Sequence, residues 1–440
     1  MENTDIKTNF KSYIVKAFED NKNKHDGNNN QEIFDIKNNF FEKFLEKGLP
    51  TLKWEHWKYT NLAFLNKIDF DFKNKIIDKT LLEKSEFYYN LADSYKIYLI
   101  NGELANNISE FNDKNISFYY YDDISKNGIG EFSDYYGKLL IETEHTFAQI
   151  NSVLVENVVV IKINNNANLE KNVQINNIID SRNSSKFINT RFLIISGKSS
   201  SCKIIENTYT FGENNSVINT VKEIFMENNS HLNYYKIQDD KQNLHNFDFT
   251  QVKQERDSHF DEAAISINGK FIRNDLRSEL NGENIETHFY GAFIAGDNDY
   301  VDNHTYVDHS KPNCFSNENY RGIISGKATG VFNGKIMVRP QAQKTNAYQS
   351  NKNILLSPNA IINTKPELEI YADDVKCSHG ATSGALDKTS LFYLQARGID
   401  LPKAERMLLK AFILEIVNEI KIEKLQELII ERTDLKLSQI

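Results

Sequence analysis

The chain has 440 residues, of which 40% are hydrophobic and 26% charged, and its formal net charge is −9. This length allows about three average domains and a large core, while the acidic balance argues against a nucleic-acid-binding surface. The three cysteines are widely spaced, which argues against a disulfide framework and favours a reducing compartment, so we expect a cytoplasmic protein. No apolar run reaches about 18 residues and no signal-peptide pattern opens the chain, so we expect no membrane association.

Residues 1–149 predict an N-terminal segment of helical and mixed structure. An apolar stripe at helical spacing runs through Phe40, Phe41, Phe44 and Leu45. Gly48 follows it as a stop signal, and a polar loop precedes it around residues 21–31.

Two aromatic side chains and one turn complete this segment. Trp54 and Trp57 are the only tryptophans, and we expect them to close a small N-terminal core. The sequence KIYLING at 96–102 predicts a strand that ends in an Asn101-Gly102 turn.

Residues 150–380 predict a β domain. Short runs such as VVVIKI, RFLIIS and GVFNGKIMV alternate or nearly alternate, and each ends in Asn, Gly, Ser or Asp. More than 200 residues of short strands indicate a sandwich, a barrel, a propeller or a β-solenoid. The absence of a strict repeat weakens the propeller. Periodicity alone leaves solenoid and sandwich open. The richness in Asn, Lys and Ile is also typical of an AT-rich genome, so a single Asn is weak evidence for a turn.

Residues 381–440 predict a C-terminal helical domain. Asp387 or Thr389 caps a first helix and Gly398 ends it, while Asp400 and Pro402 open a second helix. Within the second helix, AFILEIV at 411–417 places apolar side chains almost all round. This pattern indicates either burial on two sides, against its own domain and a partner, or a fully buried core helix.

One weak metal candidate lies at the end of the β domain. His304, His309 and Cys314 occur close together in sequence. Histidines five residues apart on an extended strand point to opposite faces, which is poor for a shared metal. We therefore favour structural histidines here over a zinc-type site.

Cys377 and His379 form the second candidate site. Two residues apart on a strand, they share one face, and thiolate with imidazole suits a soft metal or iron–sulfur chemistry. Two ligands are too few for one chain to hold a cluster, so either a second chain completes the site or the pair is structural. A Cys–His nucleophile pair is a third interpretation. In each case we expect the isolated chain to hold no tightly bound cofactor or metal.

A β-solenoid hydrolase or lyase acting on polysaccharide is the main enzymatic alternative. Such enzymes place acids along one face of the solenoid, and the relevant acids here are Asp297, Asp299, Asp302 and Asp308. The lack of a signal peptide argues against it, because polysaccharide substrates are usually extracellular.

Several segments resemble the SufB/SufD family of iron–sulfur cluster assembly proteins. They are HSKPNC, QAQKTNAYQSNKNILLSPNA and KPELEIYADDVKCSHGATSGALDKTSLFYLQARGI, in this order, with WKYTNL near the N-terminus. The KCSHGAT form is similar to the SufD branch, since SufB usually carries an acidic version there.

The resemblance implies a right-handed parallel β-helix between two helical segments. It implies pairing with SufB through the end of this β-helix, with His379 facing SufB next to Cys377 and a transient iron–sulfur cluster at that interface. It also implies that the C-terminal helices bind SufC, an ATPase of the ABC type. The docking residues we expect there are Phe392, Leu408, Phe412 and Ile416.

The chain is therefore expected to be a non-catalytic scaffold subunit. It has no GxxxxGK[ST] phosphate loop, which agrees with the ATPase activity residing in SufC. A homodimeric scaffold is the remaining alternative, because a free β-helix end exposes unpaired strand groups through which the isolated chain pairs with itself.

Overall fold

The computed structural model describes residues 10–23, 30–72, 77–83, 89–108, 111, 113–141, 143–240 and 243–440. The start of the expected N-terminal segment, residues 1–9, and most of the expected polar loop, residues 24–29, lie outside the described residues.

Four α-helices precede the β domain in the described part of the chain: α1 (Phe10–Asn23), α2 (Gln31–Lys47), α3 (Ile124–Asn127) and α4 (Thr146–Leu154). Helix α2 ends as predicted, because Gly48 takes φ = 69° and donates its N–H to the Phe44 carbonyl. The predicted stripe lies on α2, where Phe40, Phe41 and Phe44 are buried and Leu45 is 43% exposed.

The tryptophans lie in a core as predicted, but this core is shared with the β domain, whose Phe187, Phe247 and Phe271 belong to it. Trp57 is buried in a cluster with Phe44 and Phe147, and Trp54 packs against the same cluster. The Trp57 ring also lies 3.7 Å from the Arg273 guanidinium, a cation–π contact that joins this segment to the β domain.

Short strands of the N-terminal segment are β1 (Phe70–Asp71), β2 (Ser94–Ile100), β3 (Glu103–Leu104) and β4 (Ile116–Tyr121). The predicted turn is present after β2, where Asn101 and Gly102 both have positive φ and β3 returns antiparallel. Strand β2 then pairs in parallel with the β domain, so this part of the N-terminal segment extends the solenoid.

The β domain contains strands β5 (Val158–Ile163), β6 (Asn172–Asp180), β7 (Ser185–Ser196), β8 (Ser201–Phe211), β9 (Ser216–Met226), β10 (His231–Asp239), β11 (Leu244–Gln254), β12 (His259–Asn268), β13 (Phe271–Leu280), β14 (Glu286–Ala295), β15 (Tyr300–His309), β16 (Phe315–Ile324), β17 (Thr329–Val338), β18 (Thr345–Leu355), β19 (Ile361–Ile370) and β20 (Val375–Gly384). The strand run begins at Val158 and not at residue 150, because α4 continues to Leu154.

The described strands form two ten-stranded sheets, and the chain alternates between them. The odd sheet runs β19-β17-β15-β13-β11-β9-β7-β5-β4, with β1 beside β7, and the even sheet runs β20-β18-β16-β14-β12-β10-β8-β6-β2-β3. From β5 to β20 the neighbours within each sheet pair in parallel, as in β15 with β17 and β16 with β18. The domain is therefore a β-solenoid, which decides between the two architectures that periodicity left open.

Left-handed residues mark one corner of successive coils. Ser199, Asn229, Asp257, Asn284, Asn313 and Lys344 all have φ between 55° and 61°. Equivalent corners bond to each other: the Asn229 amide donates to Ser199 Oγ at 3.1 Å, 30 residues away, and the Asn284 amide donates to Asp257 Oδ1 at 3.0 Å, 27 residues away. Part of the Asn richness is thus structural, because Asn tolerates this conformation.

The solenoid interior holds an interior charge cluster, formed by Glu206, Lys222, Lys236, Asp248 and Glu262. Lys222 Nζ lies 2.7 Å from Glu206 and also contacts Asp248, while Lys236 Nζ lies 2.8 Å from Asp248 and 3.1 Å from Glu262. All five side chains are buried, so each charge depends on its partners inside the protein.

The C-terminal helices are α5 (Lys388–Ala396), α6 (Leu401–Val417) and α7 (Glu423–Leu437). The predicted caps are confirmed: Asp387 accepts from the N–H groups of Thr389 and Ser390, and Asp400 accepts from that of Lys403. Helices α6 and α7 pack on the outer face of the even sheet, whereas α5 buries none of its residues. Across the described helices, none has the length and apolar character that crossing a bilayer requires.

Candidate functional site at the open end of the solenoid

The last coil of the solenoid has two free edges. Among the described strands, β19 pairs with β17 and β20 with β18 on one side, and neither has a strand on its other side. A Cβ placed on Gly380 or Gly384 of β20 meets nothing within 4 Å, which shows how open this end is. The edge of β19 carries Pro366, a residue that sheets tolerate at edges because it lacks an N–H.

Cys377 and His379 lie on the row of β20 that continues the solenoid interior. Their register partners on β18 are Ala347 and Gln349, both buried. The pair therefore shares one face of its strand, as predicted, and that face points to the interior side of an uncovered coil. Cys377 is half-buried and His379 is exposed, because none of the described strands forms a further coil above them.

Burial raises the pKa of the Cys377 thiol, a shift that the N–H of Ala347 partly offsets. The thiol is therefore protonated near neutral pH in the isolated chain, which makes it a poor nucleophile. The interpretation of Cys377 and His379 as a nucleophile pair has no support from this environment.

A buried carboxyl lies two coils below His379 in the same column. Gln349 separates them, and its side-chain amide donates to Glu318 Oε2 at 2.9 Å. The Thr305 hydroxyl donates to the same oxygen at 2.6 Å, while Oε1 of Glu318 has no partner among the described residues. Burial raises the pKa of Glu318 to about 7, against the effect of these two donors. The column that begins at exposed His379 therefore contains, two coils below, a buried carboxyl with a pKa near neutral.

The weak metal candidates do not converge. His309 is fully buried in the interior, where its Nε2 lies 2.8 Å from Ser316 Oγ and burial lowers its pKa to about 4. His304 lies on the outer face, 2.8 Å from Asp302. Cys314 is buried at a corner and donates to the Gly282 carbonyl. The structure therefore assembles no metal site from His304, His309 and Cys314.

The four acids of the enzymatic alternative do not form a catalytic pair. Asp302 is fully buried between the Arg273 guanidinium, 2.7 Å away, and the Thr60 hydroxyl. Asp308 pairs with Arg339 at 2.7 Å. The remaining two lie at the preceding corner, where Asp299 is buried and accepts from the Gly296 N–H and Asp297 has φ = 51°. Carboxylates held by arginines are poor proton donors, so this arrangement does not suit glycoside hydrolysis.

The expected docking residues differ in exposure. Phe392 on α5 is 73% exposed, and Leu408 and Phe412 on α6 are half-buried. Ile416 is completely buried against the even sheet and has no surface to offer a partner, so the docking prediction is wrong for Ile416. The all-round apolar pattern of α6 arises because the helix packs against the even sheet and both neighbouring helices.

One cluster was not indicated by sequence spacing. The ligand atoms of His259, Glu286 and His288 lie within 4.8 Å of one another on the outer face of the even sheet. His259 stands on β12 and the other two on β14, one coil later in the chain. The coil length brings these residues together, because one coil of about 27 to 31 residues places equivalent positions next to each other. The sequence alone does not show this length.

Comparison with known proteins covers nearly the whole chain. Residues 177–412 match the family model for the SUF system FeS cluster assembly, SufBD core domain, and residues 8–175 match the SufBD protein N-terminal region. The chain is 28% identical over 389 residues to an iron–sulfur cluster assembly SufBD family protein of Synechocystis, covering 86% of this chain and 85% of the relative. It is 27% identical over 399 residues to the iron–sulfur cluster assembly protein SufD of Escherichia coli, covering 90% and 91%. Protein ABCI7, chloroplastic, of Arabidopsis thaliana is 34% identical over 204 residues, covering 46% and 42%.

Proposed function

This chain belongs to the SufBD family of the SUF system for iron–sulfur cluster assembly, and we propose that it is a non-catalytic scaffold subunit that pairs with SufB through the open end of its solenoid. The observation that carries the proposal is the uncovered last coil. Strands β19 and β20 each offer a free edge of backbone N–H and C=O groups, which readily accept a strand from another chain. A partner solenoid that continues both sheets would cover the exposed interior row of β20.

His379 and Cys377 are the proposed cluster-assembly residues at this interface. They stand on the interior row at the open end, where a partner's side chains would meet them. A neutral imidazole and a thiolate both ligate iron, and pairing with SufB would supply the ligands that two residues lack. The iron–sulfur cluster is cargo and not a resident cofactor: it is held across the interface and released when the interface moves.

The C-terminal helices are the proposed docking site for SufC, an ATPase of the ABC type. Helix α5 projects Phe392 and Tyr393 into solvent, and Met407 of α6 is also exposed. Exposed apolar side chains grouped on neighbouring helices are typical of a protein interface. In this proposal ATP hydrolysis belongs to SufC, and the complex works in the cytoplasm without nucleic acid or membrane.

Co-expression with cognate SufB and SufC tests the role of His379. The wild-type complex, purified anaerobically, is expected to show the visible absorption of an iron–sulfur cluster. His379→Ala should leave the complex intact, because one exposed side chain rarely decides a large interface, yet it should abolish most of that absorption. Cys377→Ser should have a smaller effect. The matched control is Ser378→Ala, because Ser378 lies on the same strand in the row of the outward-facing, exposed Tyr348.

Two different failures are distinguishable. Full cluster formation by a stable His379→Ala complex would contradict the cluster role but not the pairing. Failure of the wild-type chain to bind SufB at all would contradict the pairing itself.

The same free edges support one alternative, a scaffold that pairs with a second copy of itself. Light scattering of the isolated chain over a range of concentrations separates the two. A dimer that persists when SufB is added favours self-pairing. A monomer, or a dimer that dissociates when SufB is added, favours the SufB complex.

A further inference from the structure

The His259–Glu286–His288 cluster lies on the outer face of the even sheet, beside the C-terminal helices. His259 and Glu286 are direct register partners on β12 and β14, and His288 follows Glu286 by two residues on the same face. The His288 ring stacks on Tyr290 with centroids 5.8 Å apart, and Tyr290 packs against the cluster that includes α6. The position is thus fixed by two strands and not by a loop.

Two nitrogen–oxygen distances within the cluster are close to those between ligands of one small cation. Nδ1 of His259 lies 3.5 Å from Glu286 Oε2, and Nε2 of His288 lies 3.4 Å from Glu286 Oε1. Both distances exceed a normal N–H···O hydrogen bond. Two ligands bound at about 2.0–2.2 Å to a tetrahedral ion stand about 3.3 Å apart, so each nitrogen–oxygen gap has the size that a bound ion would require.

Asp261 orients both imidazoles towards this gap. Its Oδ1 lies 2.8 Å from His259 Nε2 and 2.8 Å from His288 Nδ1, and its Oδ2 accepts from the Asn233 amide at 2.8 Å. Each histidine therefore uses one ring nitrogen on Asp261 and directs the other towards Glu286. A carboxylate behind each ligating histidine is the arrangement that sets tautomer and ring orientation in protein metal sites.

We propose that His259, His288 and Glu286 bind one divalent first-row transition metal ion. Two imidazoles and one carboxylate are the donor set of catalytic zinc sites and of non-haem ferrous sites, both of which keep open positions for water. Glu286 is 50% exposed, against 25% for His259 and 14% for His288, so an ion enters from solvent on the carboxylate side. The proposal departs from our expectation that the isolated chain holds no metal. Sequence spacing did not reveal the site, because His259 and Glu286 lie one coil apart in the chain.

The site is independent of the proposed pairing with SufB, so it is tested on the isolated, untagged full-length chain. Zn²⁺ binding is measured by titration calorimetry, and Co²⁺ binding by its visible absorption. We expect one saturable site per chain for each ion. Asp261→Asn should weaken Zn²⁺ binding by about 10- to 100-fold, the range found when ligand-supporting residues are removed. Glu286→Gln removes a proposed ligand and should weaken binding at least as much.

His231→Ala is the control, because its ring lies 5.7 Å from that of His259 yet outside the ligand group. It should bind Zn²⁺ with unchanged affinity, and circular dichroism melting checks that every variant is folded. The absence of saturable Zn²⁺ binding in the wild type would overturn the assignment. An equal loss in His231→Ala and Glu286→Gln would overturn it too, because it would indicate diffuse binding by surface histidines.

Discussion

The middle and the last coil of the solenoid use the same architecture under different conditions. In the middle, a coil lies on each side, and inward-facing charges meet opposite charges, as Lys236 does between Asp248 and Glu262. In the last coil the corresponding row carries Cys377 and His379, and no strand of the described residues lies above it. The comparison teaches that a polar interior residue stabilises the fold where two coils enclose it and becomes available to a partner where only one does.

Lys236→Met should have the largest effect on stability. Burial disfavours the ammonium, but Asp248 and Glu262 more than offset this and raise its pKa, so the group is charged. Its removal leaves buried Glu262 without its lysine and Asp248 with only Lys222. We expect the free energy of unfolding to fall by about 3–5 kcal/mol, measured by chemical denaturation. Lys352→Met is the control, because Lys352 is exposed on β18. Equal stabilities of the two variants would show that the interior charge cluster is not important for folding.

Glu318→Gln should change how stability depends on pH. Burial raises the Glu318 pKa from 4.5 to about 7 in the folded state. Between these values the folded state binds more protons than the unfolded state, so this group's contribution to stability falls as pH rises from about 4.5 to about 7 and is constant above. Glutamine removes this loss, so the variant should gain about 3 kcal/mol over the wild type at pH 8 relative to pH 4. Parallel pH profiles of the two proteins would contradict the raised pKa.

Gln349→Ala and His379→Ala compare two successive positions of one column. Gln349 is buried and donates to Glu318, so its removal should cost about 1–3 kcal/mol of unfolding free energy. His379 is exposed one coil later, and its removal should change stability by no more than about 0.5 kcal/mol. Thermal melting of the isolated chains measures both. A large loss for His379→Ala would mean that this side chain serves the fold and not a partner.

Phe392→Asp should have the smallest effect on stability and a large effect on SufC binding. Helix α5 buries none of its residues, so the new charge remains in water. Leu52→Asp is the matched control, since Leu52 is 51% exposed in the N-terminal segment, away from the C-terminal helices. Calorimetric titration with SufC should show weakened binding for Phe392→Asp and unchanged binding for the control. Unchanged affinity of the folded Phe392→Asp protein would contradict docking through α5.

Local signals in the sequence predicted the helix ends well. Asp387, Asp400 and Gly48 act through contacts within a few residues, and each does what its position indicated. The same-face relation of Cys377 and His379 also follows from strand geometry alone. The domain divisions at 149/150 and 380/381 remain predictions, although β2 shows that the first segment contributes a strand to the even sheet.

Features that depend on the coil could not be predicted from local patterns. Ile416 looked like a docking residue because an apolar pattern cannot distinguish a partner from the protein's own sheet. The left-handed corner residues from Ser199 to Lys344 recur at intervals of 27 to 31 residues, a variation large enough to hide the period. Without that period, His259 and Glu286 are two unrelated residues, whereas in the solenoid they are neighbours.

Backbone hydrogen–deuterium exchange of this chain, alone and with SufB, tests the central claim most directly. In the free chain, the edge amides of β19 and β20 should exchange faster than those of the enclosed strands β9 to β12, because one side of each edge strand faces solvent. Binding of SufB should slow exchange strongly in β19 and β20 and leave the enclosed strands unchanged. Unaltered exchange in the last coil of a demonstrated SufB complex, with protection elsewhere, would contradict the claim that the open end is the partner surface.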